Sequence, residues 1–366
     1  MFDLDPTIDF LNHGSFGAVP RVVTTAVAEL RAEMERNPVA FVEDVVRPGR
    51  RRAAAELAAR LGTDGDHLAL IENASTGTAT VLASLAFKAG DRVVVTDHGY
   101  NAVRLQLEAL ARRAGIHVAV VHLPTPIEDP TAVVAAISQA LPGARLLVVD
   151  WITSPTGLVM PIEAIVAAAK AEGVPVLVDA AHAPGHVPME LDRLGADWVT
   201  GNAHKWLFAA RGTAFLYART DPNLAPQTIS HYNDEGFPRA FDWTGTGDPC
   251  AHLALPTALA FHRDQPDVMA RNRDLAMRAG ALIANTLGSV CSGPPSMQGA
   301  MAAVRLPLRG DRGDGASLHR TLRDTHRIEV PIMAQDGWLW VRVSAQIYNR
   351  MEQYERLAAV LYRALH

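Results

Sequence analysis

Between residues 68 and 217 the chain alternates short apolar runs with longer amphipathic stretches. Leu68–Ile71, Arg92–Thr96, His117–Val121, Arg145–Asp150, Pro175–Asp179, Asp197–Thr200 and Thr213–Tyr217 read as strands. Each is four to six residues long and dominated by apolar side chains, too short for a buried helix. Stretches with helical spacing separate most of them: Thr76–Phe87, Ala102–Ala114, Thr131–Leu141 and Ile162–Glu172. Strand and helix in alternation predict an α/β fold, a mostly parallel sheet with helices on both faces. The last two strands are joined only by a short segment around Lys205, which admits an antiparallel member.

The pattern differs on either side of this region. Residues 1–20 lack periodicity and predict an arm or loop outside the main sheet. Val22–Arg36 has helical spacing and is expected to stop at Pro38. Gly49–Leu61 is an Ala-rich helix with Gly62 as its stop. From Asp221 to Asp248 the periodicity ends in a segment of Pro, Gly, Asn and aromatics, the composition of a long functional loop. Leu253–His262 and Val268–Leu287 resume as helices. Strands at Ala302–Leu306, Ile328–Ile332 and Leu339–Val343, with helices at Gly315–Thr325 and Met351–Leu365, then predict a small α+β domain. The expected division is an arm and large domain over 1–250, and connecting helices plus the small domain over 251–366. No internal repeat or low-complexity segment interrupts it.

The candidate chemistry sits where apolar runs end in polar residues. Pro175-Val-Leu-Val178 ends in Asp179, and Asp197-Trp-Val-Thr200 leads into Gly201-Asn-Ala-His204-Lys205-Trp206. Open α/β sheets bind ligands at the carboxyl ends of their strands. A lysine amine can form a Schiff base with an aldehyde cofactor, pyridoxal 5'-phosphate. A carboxylate can then keep the pyridine nitrogen protonated. Lys205 fits the first role and Asp179 the second. Asn73-Ala-Ser-Thr-Gly77 opens a helix after a strand, where Ser75, Thr76 and free backbone N–H groups would hold a phosphate. Arg342 lies in the apolar run Trp340-Val-Arg-Val-Ser344, and a buried arginine needs a partner such as a substrate carboxylate.

Eight pieces carry a resemblance that covers nearly the whole chain. They are Phe10-Leu-Asn-His-Gly-Ser-Phe-Gly17, Glu72-Asn-Ala-Ser-Thr-Gly77, Thr96-Asp-His-Gly-Tyr-Asn101, Ile152-Thr-Ser-Pro-Thr-Gly157, Val178-Asp-Ala-Ala-His182, Gly201-Asn-Ala-His-Lys205, Gly245-Thr-Gly-Asp248 and Arg342-Val-Ser. In this order they resemble class V aminotransferase-like enzymes of pyridoxal phosphate fold type I, within these the isopenicillin N epimerase-like group. The resemblance implies that the turn with Ser75 and Thr76 holds the cofactor phosphate, helped by Asn202 and His204. It implies that Thr246 reaches the phosphate of a neighbouring subunit, hence a homodimer with sites at the interface. His182 matches a position that bonds the cofactor's phenolic oxygen. His98 is the gapless match for the ring stacked on the pyridine, with Tyr100 the alternative. Arg342 matches the carboxylate-binding arginine, and Asn12, His13 and Tyr232 are further pocket candidates. The implied catalytic residues are Lys205, Asp179 and His98.

Composition narrows the class without changing this picture. A net charge of −5 and no basic block beyond Arg50-Arg51-Arg52 argue against nucleic acid; that triplet reads as the solvated start of a helix. A phosphate-binding role for one of the three has no support in the sequence. Two cysteines, Cys250 and Cys291, make no disulfide framework, and the acidic N-terminus lacks the pattern of a signal peptide. No apolar run approaches the ~20 residues that span a bilayer. The expectation is a cytoplasmic protein without a membrane span or a metal site, acting on a small amino-acid-type substrate.

After removal of the α-proton by Lys205, four outcomes stay open: the resemblance puts isopenicillin N epimerase-like epimerisation first, with β-elimination at a C–S bond of cysteine derivatives, transamination and oxidation as alternatives. Cysteine desulfurases place a nucleophilic Cys shortly before the carboxylate-binding arginine. Here His326–Gly337 contains none, which argues against that activity. A nucleotide-binding dehydrogenase would need a glycine-rich fingerprint that Glu72–Gly77 lacks. A non-catalytic relative of the fold is the remaining alternative, and the presence of Lys205, Asp179 and Arg342 speaks against it.

Overall fold

The computed structural model describes residues 1–220 and 223–365; Asp221 and Pro222, at the start of the long loop, lie outside them. The strands in chain order are β1 (Asp9–Phe10), β2 (Leu68–Ile71), β3 (Arg92–Thr96), β4 (His117–Val121), β5 (Leu146–Asp150), β6 (Val176–Asp179), β7 (Trp198–Asn202), β8 (Ala214–Ala218), β9 (Met301–Arg309), β10 (Ile328–Glu329), β11 (Ile332–Gln335) and β12 (Trp338–Ser344). Seven of them form one sheet in the order β2-β8-β7-β6-β5-β3-β4. β8 is the antiparallel member, paired with β7 and β2; the rest of the ladder is parallel. In β2, β5, β6 and β8 every residue is buried, as expected of strands covered on both faces. One core packs Leu147, Val149, Val176 and Val178 against Ile162, Ile165 and Val166 of helix Ile162–Ala171. The other face packs Val93, Val95 and Val148 against Val103, Leu107 and Leu110 of helix Asn101–Ala114.

The antiparallel sheet β11-β12-β9 carries the C-terminal region, packed against helices Val268–Thr286 and Met351–Leu365 through Ala279, Ile283, Leu357 and Leu361. The N-terminal arm belongs to this end of the molecule. β1 pairs with β10, and Leu11 lies in the same core.

Three expectations need correction. The stretch Ile328–Ile332 is two strands: Pro331 offers no N–H for a ladder, so the chain breaks there, β10 joining the arm and β11 joining β12. Pro38 opens a helix at its first position and does not only end one; Asn37 caps it, its Oδ1 accepting from Ala40 N–H at 3.3 Å. The chain then runs through Phe41–Val46 into helix Arg47–Arg60. The arginine triplet inside that helix is not a solvated start. Arg50 is buried, donating to Leu70 O at 3.0 Å, and Arg51 pairs with Asp242 at 2.6 Å. Among the described residues no helix is long and apolar enough to cross a membrane.

Candidate active site

The carboxyl ends of the parallel strands converge on one edge of the sheet. Asn73–Thr76 follow β2, Asp97–Tyr100 follow β3, Asp150 ends β5, Asp179 ends β6, and Lys205 follows β7 by three residues. The order β5-β3-β4 reverses direction at β3, the kind of switch at which a crevice opens.

Lys205 is enclosed. Burial, together with the charge of Arg342, lowers its pKa to about 7, while Asp179 and Asp150 pull the other way. Its Nζ lies 3.2 Å from His182 Nε2. His182 Nδ1 accepts from Trp206 Nε1–H at 3.5 Å, which assigns the ring proton to Nε2, facing the amine. Burial and then Lys205 keep His182 neutral. Behind the lysine, His13 Nε2 donates to Lys205 O at 3.0 Å and His13 Nδ1 accepts from Tyr348 O–H at 2.8 Å. Both ring nitrogens of His13 are thus spent on the protein, and it serves as a fastener of the lysine's backbone.

Asp179 is 4% exposed; its Oδ1 accepts from Ala181 N–H at 2.9 Å, and burial raises its pKa. The neighbouring Asp150 is 7% exposed and is raised well above the ordinary range by burial and by Asp179. Asp150 was not among the residues expected from the sequence. The run Leu146-Leu-Val-Val-Asp150 carries the same signature as Val176-Leu-Val-Asp179, an acid closing an apolar strand.

Helix Ala74–Ser84 begins at the edge of this pocket. Asn73 caps it, accepting from Thr76 N–H at 2.9 Å, and Asn202 Oδ1 accepts from Ala74 N–H at 2.9 Å. The Ser75 N–H and hydroxyl have no partner among the described residues and are available to an anion. Asn202 therefore acts by holding the helix start, which sequence reasoning had not separated from direct phosphate contact. His204 donates from Nδ1 to Thr213 O at 2.9 Å and is kept neutral by burial, its pKa lowered to about 4.

Arg342 on β12 is 2% exposed. It donates to Ser154 O and, at 3.4 Å, to Ser15 Oγ; its Nε has no partner, and no carboxylate pairs with it among the described residues. Burial lowers its pKa to about 10. Asn12 Oδ1 accepts from Ser15 O–H at 2.6 Å and Asn12 Nδ2 donates to Glu329 Oε1 at 2.9 Å, so Asn12 braces the serine that touches Arg342. Ser15 and Ser154 come from segments distant in sequence, and no local pattern announces them.

The remaining candidates lie elsewhere or in other roles. His98 is fully buried, with Nδ1 2.9 Å from Thr156 Oγ1 and Nε2 2.8 Å from Leu123 O. Tyr100 is 44% exposed at the start of helix Asn101–Ala114. Thr246 sits on the exposed loop that lines a cavity of about 370 Å³ together with Arg31, Arg50, Glu72 and Arg211. Tyr232 lies under the Arg47 guanidinium, 3.6 Å from its ring centroid, and no contact ties it to Lys205 or Arg342. Asp97, His122 and Asp336 each bring one possible metal-ligand atom within 4.8 Å of the others, but Asp97 Oδ2 is paired with His122 Nδ1 and Asp336 Oδ2 accepts from Thr125 N–H.

A buried amine, a strand-end acid, an open helix start and an unpaired arginine fit pyridoxal phosphate and an amino acid carboxylate. Known proteins agree. The Aminotransferase class-V family pattern matches residues 43–231. Putative L-cysteine desulfhydrase 1 of Oryza sativa subsp. japonica is 34% identical over 390 residues, covering 95% of this chain and 81% of its own. Isopenicillin N epimerase of Streptomyces clavuligerus is 32% identical over 381 residues, covering 98% and 95%. A solved structure of a C-DES mutant with glycine covalently linked to the PLP cofactor superposes with a TM-score of 0.78 at 21% identity, covering 98% of this chain and 97% of that one. The fold is fold type I, and the chain belongs to the class V aminotransferase family of pyridoxal-phosphate-dependent enzymes.

Proposed function

We propose that this enzyme removes the α-proton of an amino acid with Lys205 and expels a sulfur substituent from its β-carbon. The observation that carries the reading is the half-buried Lys205, its amine lowered to about 7, near an Arg342 that has no carboxylate partner among the described residues. A base with that pKa is half neutral at physiological pH, where proton abstraction works best. Pyridoxal phosphate, when bound, supplies the aldehyde that receives the amine and the ring that takes up the electron pair. The chain's own residues do the rest. Arg342 pairs with the α-carboxylate and fixes which bond points at Lys205. Asp179 faces the pyridine nitrogen and keeps it protonated. The Ser75 N–H and hydroxyl hold the phosphate at the helix start, and the Asn202–Ala74 bond keeps that start in place. Tyr100, exposed after β3, offers the ring face that a fully buried His98 does not, and His98 then holds the turn beneath it. The His182 Nε2–H orients the lysine.

β-Elimination needs one base and no nucleophilic thiol. Cys250 is fully buried beside Val27 and Ala254, and Cys291 bridges to Val304 in the C-terminal sheet, so neither serves a desulfurase role. Identity to desulfhydrases supports this outcome. Epimerisation is the second reading, favoured by 32% and 34% identity to two isopenicillin N epimerases over 98% of the chain. Both share every step up to proton removal. The exposed Thr246 loop beside three arginines supports a homodimer in which the loop reaches the other subunit's phosphate, and two free cysteines support a cytoplasmic location.

The test is an amino-acid panel with S-substituted cysteines, incubated in heavy water and read for mass and chirality. Pyruvate and ammonia with loss of the thiol support the lyase. Deuterium at a scrambled α-carbon with the side chain intact supports the epimerase. No exchange with any member overturns the assignment of these substrate classes.

A further inference from the structure

Asp150 and Asp179 are Cα partners in the parallel ladder of β5 and β6. Partners on neighbouring parallel strands project from the same face, their backbones about 4.8 Å apart. The two carboxyls therefore enter the pocket side by side, with Lys205 as a common counter-charge. Their attachments differ. Asp179 is held by Ala181, on its own strand end. Asp150 reaches across to the turn after β3, where the nearby Tyr100 backbone N–H works against the rise in its pKa. Its Oδ2 lies against Gly99, where an added Cβ would stand 3.4 Å away. Tyr100 is the N-cap of helix Asn101–Ala114 and makes no side-chain cap bond, and Gly99 is tied back to Thr96 O at 3.2 Å.

We propose that Asp150 is a positioning residue of the cofactor pocket: its carboxyl ties the Gly99–Tyr100 turn to the strand pair that carries Asp179, fixing the Tyr100 ring relative to that acid. This rests on the reading that Tyr100 and Asp179 both face the cofactor. Two buried carboxylates side by side cannot both ionise at modest cost. Asp179, held by the Ala181 N–H at 2.9 Å, takes the charge, and Asp150, pushed up by burial and by Asp179, stays a neutral hydrogen-bonding group. An asparagine at 150 then reproduces what matters, an oxygen that accepts the Tyr100 N–H, whereas alanine leaves that N–H unpaired.

The experiment compares the holoenzyme with Asp150→Asn, Asp150→Ala and Asp179→Asn, reading the visible absorption maximum of the bound cofactor and its dissociation constant. Asp150→Asn should keep the maximum and bind cofactor within about twofold of wild type. Asp150→Ala should shift the maximum and weaken cofactor binding about tenfold, the loss of one buried hydrogen bond. An unshifted Asp150→Ala overturns the proposal, and so do equal losses in the Asn and Ala variants, which would make the role one of charge. If Asp150→Ala does not fold, Asp150→Asn decides alone: a shifted maximum or a tenfold loss overturns the proposal, and wild-type behaviour upholds it. Asp179→Asn reports separately on the underlying reading. If it leaves the absorption unchanged, the placement of Asp179 is wrong whatever Asp150 does.

Discussion

Replacing Lys205 with methionine should abolish activity and, in the cofactor-free protein, increase stability. The unfolded lysine keeps its proton up to the ordinary 10.5, whereas the folded one gives it up above about 7. Between those values the unfolded state binds more protons, so wild-type stability rises with pH. Each pH unit in that window is about 1.4 kcal/mol. Near pH 7 the wild type therefore bears a cost of up to about 4 kcal/mol for burying the amine, falling to about 2 at pH 9 and vanishing near 10.5. Methionine has a similar length, fills the space with an apolar side chain and does not titrate. It also removes a like charge from the neighbourhood of Arg342. The assay is urea denaturation of both cofactor-free proteins at several pH values. Titrating groups that do not feel the Lys205 charge cancel in the difference, while Asp150, Asp179 and His182, which do, contribute to what remains. The variant should be more stable at pH 7, with the gap narrowing steadily towards pH 10. Parallel stability curves, or a methionine variant less stable at pH 7, would refute the claim that burial holds this amine neutral.

Three further expectations follow from the same geometry. Arg342→Leu should lower kcat/KM for a free amino acid about 10- to 100-fold, one charge-assisted pair, and by far less for the corresponding methyl ester; equal losses on both would deny it the carboxylate. Gly77→Ala would put a Cβ 2.0 Å from Thr200 Oγ1 on β7, pushing helix Ala74–Ser84, the proposed phosphate holder, off the sheet. That overpacking should cost about 1–3 kcal/mol, read as a lower Tm together with weaker cofactor binding. Asn202→Ala should leave the Ala74 N–H without its acceptor, costing about 1–2 kcal/mol. It should weaken pyridoxal phosphate more than unphosphorylated pyridoxal in a binding titration, and an equal loss on both would place Asn202 outside the phosphate's support.

Much of this was readable along the chain, for a physical reason. Strands buried on both faces must be continuously apolar, so β3 appears in the sequence with the bounds it has in the fold, and the edge strand β4, none of whose residues is fully buried, shows through its run of valines. Polar residues that close such runs stand out, and Asp179 and Lys205 were found that way. Asp150 carried the same mark but lacked a companion in sequence, since its partner is the Tyr100 backbone across the sheet. Arg342 was visible as a charge inside an apolar strand, while Ser154 and Ser15, 188 and 327 residues away, were not. Arg50 looked like part of a charged surface run because a triplet cannot show which of its members faces inward. The break at Pro331 escaped for a similar reason: an apolar run shows that a segment is buried, without showing which neighbour it pairs with.

The arm has a consequence for how the enzyme comes into being. Asn12 and His13 complete their bonds with Glu329 and Tyr348, 317 and 335 residues further on, and His13 in turn fastens the backbone of Lys205. Emerging from a ribosome, Asn12 and His13 must wait for 317 and 335 further residues before the lysine is locked in place. Contacts of such long separation form late in folding. A nascent chain can thus assemble its central sheet and still have a slack lysine, which is fastened only when the arm meets the C-terminal segment that carries Tyr348.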